Sequence, residues 1–312
     1  EILLSESQER MLVVAKRGRE GEVHRILEKW ELSTAVVGEV IAEPVYRVTE
    51  GDRVVAEFPG TRLVTDCPTY TPPANESPEI QALRARDVSQ IPERAEEADP
   101  RWTLLQLLAS PTIASKAWVY RQYDSTVRTN TVIGPGGDAA VLRLRGTARG
   151  LAAKTDCNGR YCYLDPRMGA RIAVAEAARN VACVGARPRA ITNNLNFGNP
   201  KRPEVYHQLR EAIGGMAEAC DALDTPVTGG NVSLYNEHPG GAVYPTPVIG
   251  MVGVLESIEH ATPAAFQRAG TDIVLFGQPT DELGGSEYLH TIHGVVAGAP
   301  PACDLRRERA LI

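Results

Sequence analysis

The sequence predicts an α/β or α+β fold in which helices cover mixed β-sheets. Short β-branched runs alternate with amphipathic segments of helical period, as in layered folds of this class. Glycine and proline residues separate these segments. With 312 residues, of which 43% are hydrophobic, the chain is long enough for two domains or parts of three.

The composition argues against several classes of protein. A net charge of −6 provides no broad basic field, so we expect no nucleic-acid partner. The six cysteines are scattered without a CxxC pair, which favours reduced thiols over a zinc site or a disulfide scaffold. The longest apolar runs, such as residues 246–255, are too short to span a bilayer, and the first residues do not resemble a signal peptide. We therefore expect a cytoplasmic protein without a membrane partner.

The first segment, to about residue 58, has the pattern of the tail of an α/β domain. The polar run SESQER at residues 5–10 lies between two apolar strand pieces, and residues 21–30 have helical spacing. Tight-turn residues Gly51 and Asp52 separate the last two strands. Strands are predicted at residues 2–4, 11–14, 34–40, 44–49 and 53–58. Both ends of the chain look cut, since it opens without methionine and stops at the start of a predicted helix.

A proline-rich, acidic stretch follows at residues 66–111 and predicts a linker, placed at residues 91–114. A helical patch near residues 102–108 could pack on a neighbour.

The second segment is the best patterned. The helix near residues 168–184 stops at Gly185, and the helix at 203–223 carries apolar residues at spacings of three and four. A final strand is expected at residues 272–276. The other strands are predicted at residues 139–144, 150–155, 190–194, 226–228 and 248–255.

Residues 228–236 (TGGNVSLYN) form the first candidate site. The two glycines allow backbone N–H groups to approach an anion, and Asn231 and Ser233 point the same way if strand geometry continues through Val232. An amide oxygen can bind a hard cation, and a hydroxyl can contact phosphate or substrate. A hairpin or bulge with polar surface residues explains the pattern equally well.

Four further features have a structural as well as a functional explanation. Residues 134–138 (GPGGD) lack the Lys-Ser/Thr of a P-loop, so a structural turn is favoured. Lys154 and Asp156 lie on one side of a strand and could reach a nucleotide, but a surface ion pair explains them equally well. The polar SESQER run is costly inside a strand unless it binds something, which favours a binding role. The six histidines are dispersed outside any nucleophile motif.

Four motifs together carry a family resemblance. The motifs are residues 2–11 (ILLSESQERM), 134–144 (GPGGDAAVLRL), 184–200 (VGARPRAITNNLNFGNP) and 225–237 (TPVTGGNVSLYNE), and residues 242–253 (AVYPTPVIGMVG) extend the set. In this order and spacing, they resemble the C-terminal half of the small-type synthetase subunit of phosphoribosylformylglycinamidine synthase.

The resemblance implies tandem A and B domains, as also found in aminoimidazole ribonucleotide synthetase. Residues 1–90 would then finish the first B domain, and residues 91–114 would be the linker. Residues 115–262 would form the second, nucleotide-binding A domain, and residues 263–312 the start of the second B domain.

The resemblance also implies a reaction of purine biosynthesis. The family uses ATP and Mg²⁺ to activate the amide oxygen of formylglycinamide ribonucleotide as an iminophosphate, which ammonia then displaces to give the amidine. Its implied partners are a glutaminase subunit that supplies the ammonia and a small bridging subunit.

Carried over by motif, the resemblance assigns roles to seven residues. Substrate binding falls to Ser233 and to the run Glu6, Ser7 and Gln8. ATP binding falls to Gly230 and Asn193, the latter at a position where some relatives have aspartate, and a magnesium contact falls to Asn231.

The same likeness places the family's catalytic histidines, acidic metal ligands and ATP-contacting lysine before residue 1, so no catalytic residue is assigned here and the fragment alone is expected to be inactive. Two alternatives stay open. The chain could belong to a sister enzyme of the same architecture, against which SESQER and GGNVSLYN together argue, or it could be a noncatalytic nucleotide-binding half.

Overall fold

A computed structural model describes residues 10–312, and the chain divides between Tyr70 and Thr71 into two compact units. The first contains helix α1 (Glu20–Glu28) and an antiparallel hairpin of β1 (Val45–Glu50) and β2 (Arg53–Pro59). Gly51 has a φ of +60°, which explains the glycine in the hairpin turn.

Two predicted strands of this unit are absent from the described residues. Residues 11–14 and 34–40 form no strand, and side chains such as Leu12 and Val37 are about 80% exposed. An apolar run becomes a strand only when another strand pairs with it, and these two runs find no such partner within residues 10–70.

The predicted linker is folded and belongs to the second unit. Helix α2 (Pro78–Ala85) precedes it in the proline-rich stretch, α3 (Pro100–Ala109) lies within it, and a short α4 (Ala117–Tyr120) follows it. Asp99 caps α3 by accepting a hydrogen bond from the Arg101 N–H, with Pro100 at the first helical position. Pro78 and Pro100 therefore begin helices in this stretch.

A six-stranded sheet forms the centre of the second unit and confirms the predicted mixed sheet. Its strands are β3 (Thr131–Ile133), β4 (Ala140–Arg143), β5 (Gly150–Asp156), β6 (Arg187–Asn196), β7 (Val227–Ser233) and β10 (Thr246–Leu255). Their order in the sheet is β3-β4-β5-β10-β6-β7, and all neighbours are antiparallel except the parallel pair β6–β7. A small hairpin of β8 (Glu237–His238) and β9 (Gly241–Ala242) follows β7 in the chain.

Helices cover one face of this sheet. They are α5 (Gly159–Leu164), α6 (Pro166–Cys183) and α7 (Pro203–Leu223), and α6 packs on β5, β6 and β10. Ile249, Met251 and Leu255 alternate along β10 and are fully buried, whereas Val252 between them is 40% exposed. Because strand side chains alternate between faces, the odd-numbered residues of β10 face the helices and the even-numbered residues face away from them.

The last segment packs against the folded linker. Helix α8 (Glu287–His293) is joined to it by Glu287, which accepts a hydrogen bond of 2.6 Å from the Ser110 hydroxyl, and α9 (Leu305–Leu311) packs on α6 and α7. The predicted strand at residues 272–276 does not form, and Ile273 and Phe276 are more than 70% exposed. No helix within residues 10–312 has the length and apolarity needed to cross a membrane.

Candidate functional site

The parallel pairing of β6 with β7 brings two polar runs of the sequence side by side. Asn193 is the partner of Gly230, and Asn194 is the partner of Asn231, although 37 residues separate the members of each pair. Helix α7 makes the crossover between these strands and packs on α6, which sets the position of β7 beside β6. The two runs thus meet towards the carboxyl ends of both strands.

An open pocket of about 410 Å³ lies over this pair and extends across β10 to β5. Gly250 belongs to the even-numbered residues of β10, so the pocket opens on the face of the sheet that α6 does not cover. A Cβ atom at Gly250 would lie 2.8 Å from Thr192 Cγ2, so the absence of a side chain at Gly250 avoids a clash on this face of the sheet. The lining residues are Thr155, Thr192, Asn193, Asn194, Gly230, Asn231, Val248 and Gly250.

Gly230 is required by the close approach of the two strands. A Cβ atom there would collide with the Asn193 side-chain oxygen and would lie 2.6 Å from the Asn193 carbonyl oxygen. The neighbouring Gly229 is different, since a Cβ atom on it would meet nothing within 4 Å. Only one of the two glycines of the motif is therefore demanded by packing.

Asn231 offers an oxygen to the pocket. Its Nδ2 donates to Asn194 Oδ1 at 3.2 Å, and among residues 10–312 no group donates a hydrogen bond to its Oδ1. An amide oxygen is a suitable ligand for a hard cation. No cluster of three or more His, Cys, Asp or Glu side chains in the described part of the chain could hold a metal. Mg²⁺ fits such a site only as a nucleotide complex, in which phosphates and water supply most ligands.

Asn193 borders the pocket, but its amide faces the other side of the sheet. Its Nδ2 donates to Met216 Sδ of α7 at 3.4 Å. Buried Ile191 and Leu195 lie two residues away on either side, as expected for the helix-covered face. The predicted contact of Asn193 with ATP therefore requires a different rotamer or a contact through the backbone.

Ser233 lies two residues beyond Asn231 on the same side of β7 and is half-buried. Its hydroxyl lies 3.3 Å from Asn236 Oδ1, so a residue of the following loop holds it. Sequence reasoning missed Asn236 and Asn194. Asn236 ends the TGGNVSLYN run, and an asparagine just after a strand is a signal for a side-chain-stabilised turn. Asn194 gives no comparable signal, because its role depends on the register between strands.

Other candidates lie elsewhere. Residues 134–138 form the turn between β3 and β4, with Gly136 at a φ of +98°, in agreement with a structural turn. Asp156 accepts a hydrogen bond of 3.0 Å from Asn180 of α6, which places it on the helix-covered face with Lys154. Burial raises the pKa of Asp156, and burial together with the charge of Asp156 raises the pKa of Glu176. The predicted substrate residues Glu6, Ser7 and Gln8 lie outside the described residues.

Comparisons with known proteins place the chain in a family. The family pattern "AIR synthase related protein, N-terminal domain" matches residues 136–255, which include the whole pocket, and the pattern of the C-terminal domain matches residues 1–51. Together the two matches cover more than half of the chain.

Similarity to individual proteins extends further. The phosphoribosylformylglycinamidine synthase subunit PurL of Moorella thermoacetica is 55% identical over 311 residues, which is 100% of this chain but 42% of that protein. The chain thus spans about two fifths of the length of the curated relatives that it matches.

Solved structures of Thermotoga maritima proteins agree with this assignment. The PurLQS structure is 32% identical with a TM-score of 0.64, covering 85% of this chain and 40% of that one. PurL complexed with ATP is 33% identical with a TM-score of 0.59, covering 81% and 39%. The chain therefore belongs to the AIR synthase-related family, in the branch of the phosphoribosylformylglycinamidine synthase subunit PurL.

Proposed function

We propose that the protein to which this chain belongs is a phosphoribosylformylglycinamidine synthase of purine biosynthesis, an ATP-dependent carbon–nitrogen ligase. The observation that carries this proposal is the 55% identity with a PurL subunit over the whole chain, pocket included. The reaction converts formylglycinamide ribonucleotide, ammonia from glutamine and ATP to the amidine, ADP and phosphate.

The chemical demand of this reaction is to replace an amide oxygen, which is a poor leaving group. Transfer of the terminal phosphoryl group of ATP to that oxygen gives an iminophosphate, and ammonia then adds while phosphate leaves. Catalysis of such a transfer consists chiefly of positioning and of stabilising the charge on the phosphates. The catalytic histidines are expected outside this chain, whose own residues then serve to bind and orient.

The residues of the pocket suit that binding role. Gly230 would contact the nucleotide, as would Asn193 through its backbone or another rotamer, and Asn231 Oδ1 would be a ligand of its Mg²⁺. Ser233 would contact the ribonucleotide. Glu6, Ser7 and Gln8, which lie outside the described residues, are also proposed as substrate-binding residues. The metal, when bound, would neutralise charge on the transferring phosphoryl group. All residues that line the pocket are uncharged, so no carboxylate among them would repel the negative phosphates. The relative solved with ATP supports a nucleotide ligand.

A glutaminase subunit and a small bridging subunit are the proposed protein partners, and the cytoplasm is the proposed location. The PurLQS structure of T. maritima supports the assembly, because its name denotes PurL together with further components.

The activity can be tested on the full-length protein. Ammonium, ATP, Mg²⁺ and formylglycinamide ribonucleotide should give equimolar ADP and amidine, and residues 1–312 alone should give none. Asn231→Ala in the full-length protein should raise the Mg²⁺ concentration needed for half-maximal rate. ATP hydrolysis without amidine, or robust turnover by residues 1–312, would contradict the proposal in its present form.

A further inference from the structure

The side-chain amide of Asn236 makes several hydrogen-bond contacts in the loop after β7. Its Nδ2 lies 2.9 Å from the Ser233 carbonyl oxygen and 3.1 Å from the Phe197 carbonyl oxygen. Around the Ser233 hydroxyl oxygen, Asn236 Nδ2 lies at 3.2 Å and Asn236 Oδ1 at 3.3 Å. One amide thus joins the end of β7, the residue that follows β6 and the side chain of Ser233.

The backbone around Asn236 is also held on both sides. The Phe197 N–H donates to the Ser233 carbonyl at 3.0 Å, and the Asn236 N–H donates to the Phe197 carbonyl at 3.1 Å. Between them Tyr235 has a φ of +61°, a left-handed conformation that a non-glycine residue keeps only where the surroundings impose it. These contacts therefore hold the loop in a strained backbone conformation.

This arrangement restricts the Ser233 hydroxyl more than a surface hydroxyl would be restricted. A serine side chain has three staggered χ1 rotamers and a freely rotating O–H. The contacts with Asn236 Oδ1 and Nδ2 select the rotamer in which the hydroxyl oxygen lies against the loop. The hydroxyl oxygen has two lone pairs and one hydrogen, so the contact with Asn236 leaves capacity for a second partner.

We propose that Asn236 is a positioning residue for Ser233, and that it fixes the hydroxyl in the orientation in which Ser233 contacts the ribonucleotide substrate. The inference rests on the proposed function, since it takes Ser233 as a substrate contact. Asn236 itself touches no substrate. Its effect on binding passes through Ser233, and it has no effect on nucleotide or metal affinity.

The test is a double-mutant cycle in the full-length protein, read out as the dissociation constant of formylglycinamide ribonucleotide by calorimetry. Ser233→Ala is expected to weaken substrate binding about tenfold, which corresponds to loss of one hydrogen bond. Asn236→Leu, of similar volume but without polar atoms, is expected to weaken it by a similar factor. The double variant should be no weaker than either single variant, because the two residues act as one unit.

Three controls separate positioning from damage to the loop. Glu237→Gln changes a neighbouring residue that accepts from the Asn199 N–H at 3.2 Å and does not touch Ser233, so substrate affinity should stay unchanged. The KM for ATP should stay unchanged in all variants. Asn236→Asp keeps an acceptor for the Ser233 hydroxyl and should retain most of the substrate affinity even if the protein is less stable.

The outcomes distinguish the inference from the proposed function. If the losses of substrate affinity add up in the double variant, the positioning role is overturned and the proposed function stays intact. The same holds if Asn236→Leu binds substrate normally while Ser233→Ala binds it more weakly. Normal affinity in Ser233→Ala would overturn both the substrate contact and the positioning role. If Asn236→Leu does not fold, a tenfold loss in Asn236→Asp would overturn the inference, and retained affinity would support it.

Discussion

Gly230 and Asn193 approach each other so closely that the sheet has no room for a side chain at position 230. The constraint is local and backbone-based, since the colliding atoms include a carbonyl oxygen that is fixed by the strand. Packing alone therefore requires glycine at position 230, whether or not the residue also contacts a nucleotide. Substituting Gly229 and Gly230 separately distinguishes the packing role from the binding role.

We expect Gly230→Ala to force β6 and β7 apart, to lower the free energy of unfolding by about 1–3 kcal/mol and to weaken binding of ADP with Mg²⁺. Gly229→Ala meets no atom within 4 Å and should change stability by less than about 0.5 kcal/mol. Denaturant unfolding and calorimetric titration of the full-length protein measure both effects. Equal stability of the two variants would show that the strands can adjust to a side chain at position 230.

Elements of the second unit are held together by close helix packing and by the partly buried carboxylate of Glu287. Gly215 of α7 lies against the backbone of Arg167 in α6, and a Cβ atom there would collide with the Arg167 carbonyl oxygen. Gly214 lies beside the guanidinium of Arg167, where a Cβ atom would lie 2.9 Å from Nη1. Gly215 thus faces the backbone of α6, whereas Gly214 faces the end of a side chain that also pairs with Glu211 and Glu218.

Substitution of these two glycines should have different effects on stability. Gly215→Ala is expected to lower the free energy of unfolding by about 1–3 kcal/mol, because the backbone of Arg167 cannot yield without separating α6 from α7. Gly214→Ala should be neutral or stabilising by up to about 1 kcal/mol, the gain in helix propensity. Urea unfolding midpoints of the two variants provide the measurement, and a stability loss at position 214 as large as at 215 would refute this account.

Glu287 connects α8 with α5 and with the end of α3. It pairs with Arg160 and accepts hydrogen bonds from Ser110 and from Thr291, the latter at 2.8 Å. Burial alone would raise the pKa of Glu287, but these donors outweigh it and hold the pKa at about 2. A carboxylate with a depressed pKa stabilises the fold above its unfolded pKa, and that contribution is lost as the pH falls towards 2.

We therefore expect Glu287→Gln to lower the free energy of unfolding at pH 7 by about 2 kcal/mol. The difference from the unchanged chain should shrink as the pH falls from about 4.5 towards 2. Glu256→Gln, which removes an exposed ion pair with Arg149, is the matched control and should cost less than about 1 kcal/mol. A deficit of Glu287→Gln that stays constant between pH 7 and pH 3 would contradict the linkage.

The sequence predicts elements well where the interactions that form them are local. Helix α7 has the predicted bounds 203–223, and β10 was placed within two residues, because amphipathic spacing and flanking prolines are local signals. Residues 11–14, 34–40 and 272–276 have strand composition but are not strands, since strand formation requires a partner that composition does not reveal. The contacts of Asn194 with Asn231 and of Asn236 with Phe197 arise from register and loop shape, which no local pattern encodes.

At the scale of the whole chain, the division at Tyr70 separates a small first unit from a larger second unit that contains the pocket. The predicted boundary at residue 90 falls inside the second unit, where α2 and the folded linker pack on α5 and α8. Proline content predicted a linker, but two of these prolines, Pro78 and Pro100, lie at helix starts, where the missing N–H costs nothing.

Residues 71–312 should consequently fold without the first unit. We expect this segment to unfold in one cooperative transition, with a midpoint within a few degrees of the corresponding transition of the 312-residue chain. Calorimetry of both chains gives the comparison. Gradual unfolding of the shorter chain, or loss of its near-ultraviolet circular dichroism, would show that the second unit depends on residues before Thr71.

The crossover through α7 has a consequence for the tolerance of insertions. Side chains alternate along β7, so one residue added between Asp224 and Val227 would reverse its two faces. Asn231 and Ser233 would then turn towards α7, and the pocket would receive valine and glycine in their place. The helix acts as a spacer of fixed length, and genes of this branch should accept length changes in the β8–β9 turn far more readily than between Asn196 and Val227.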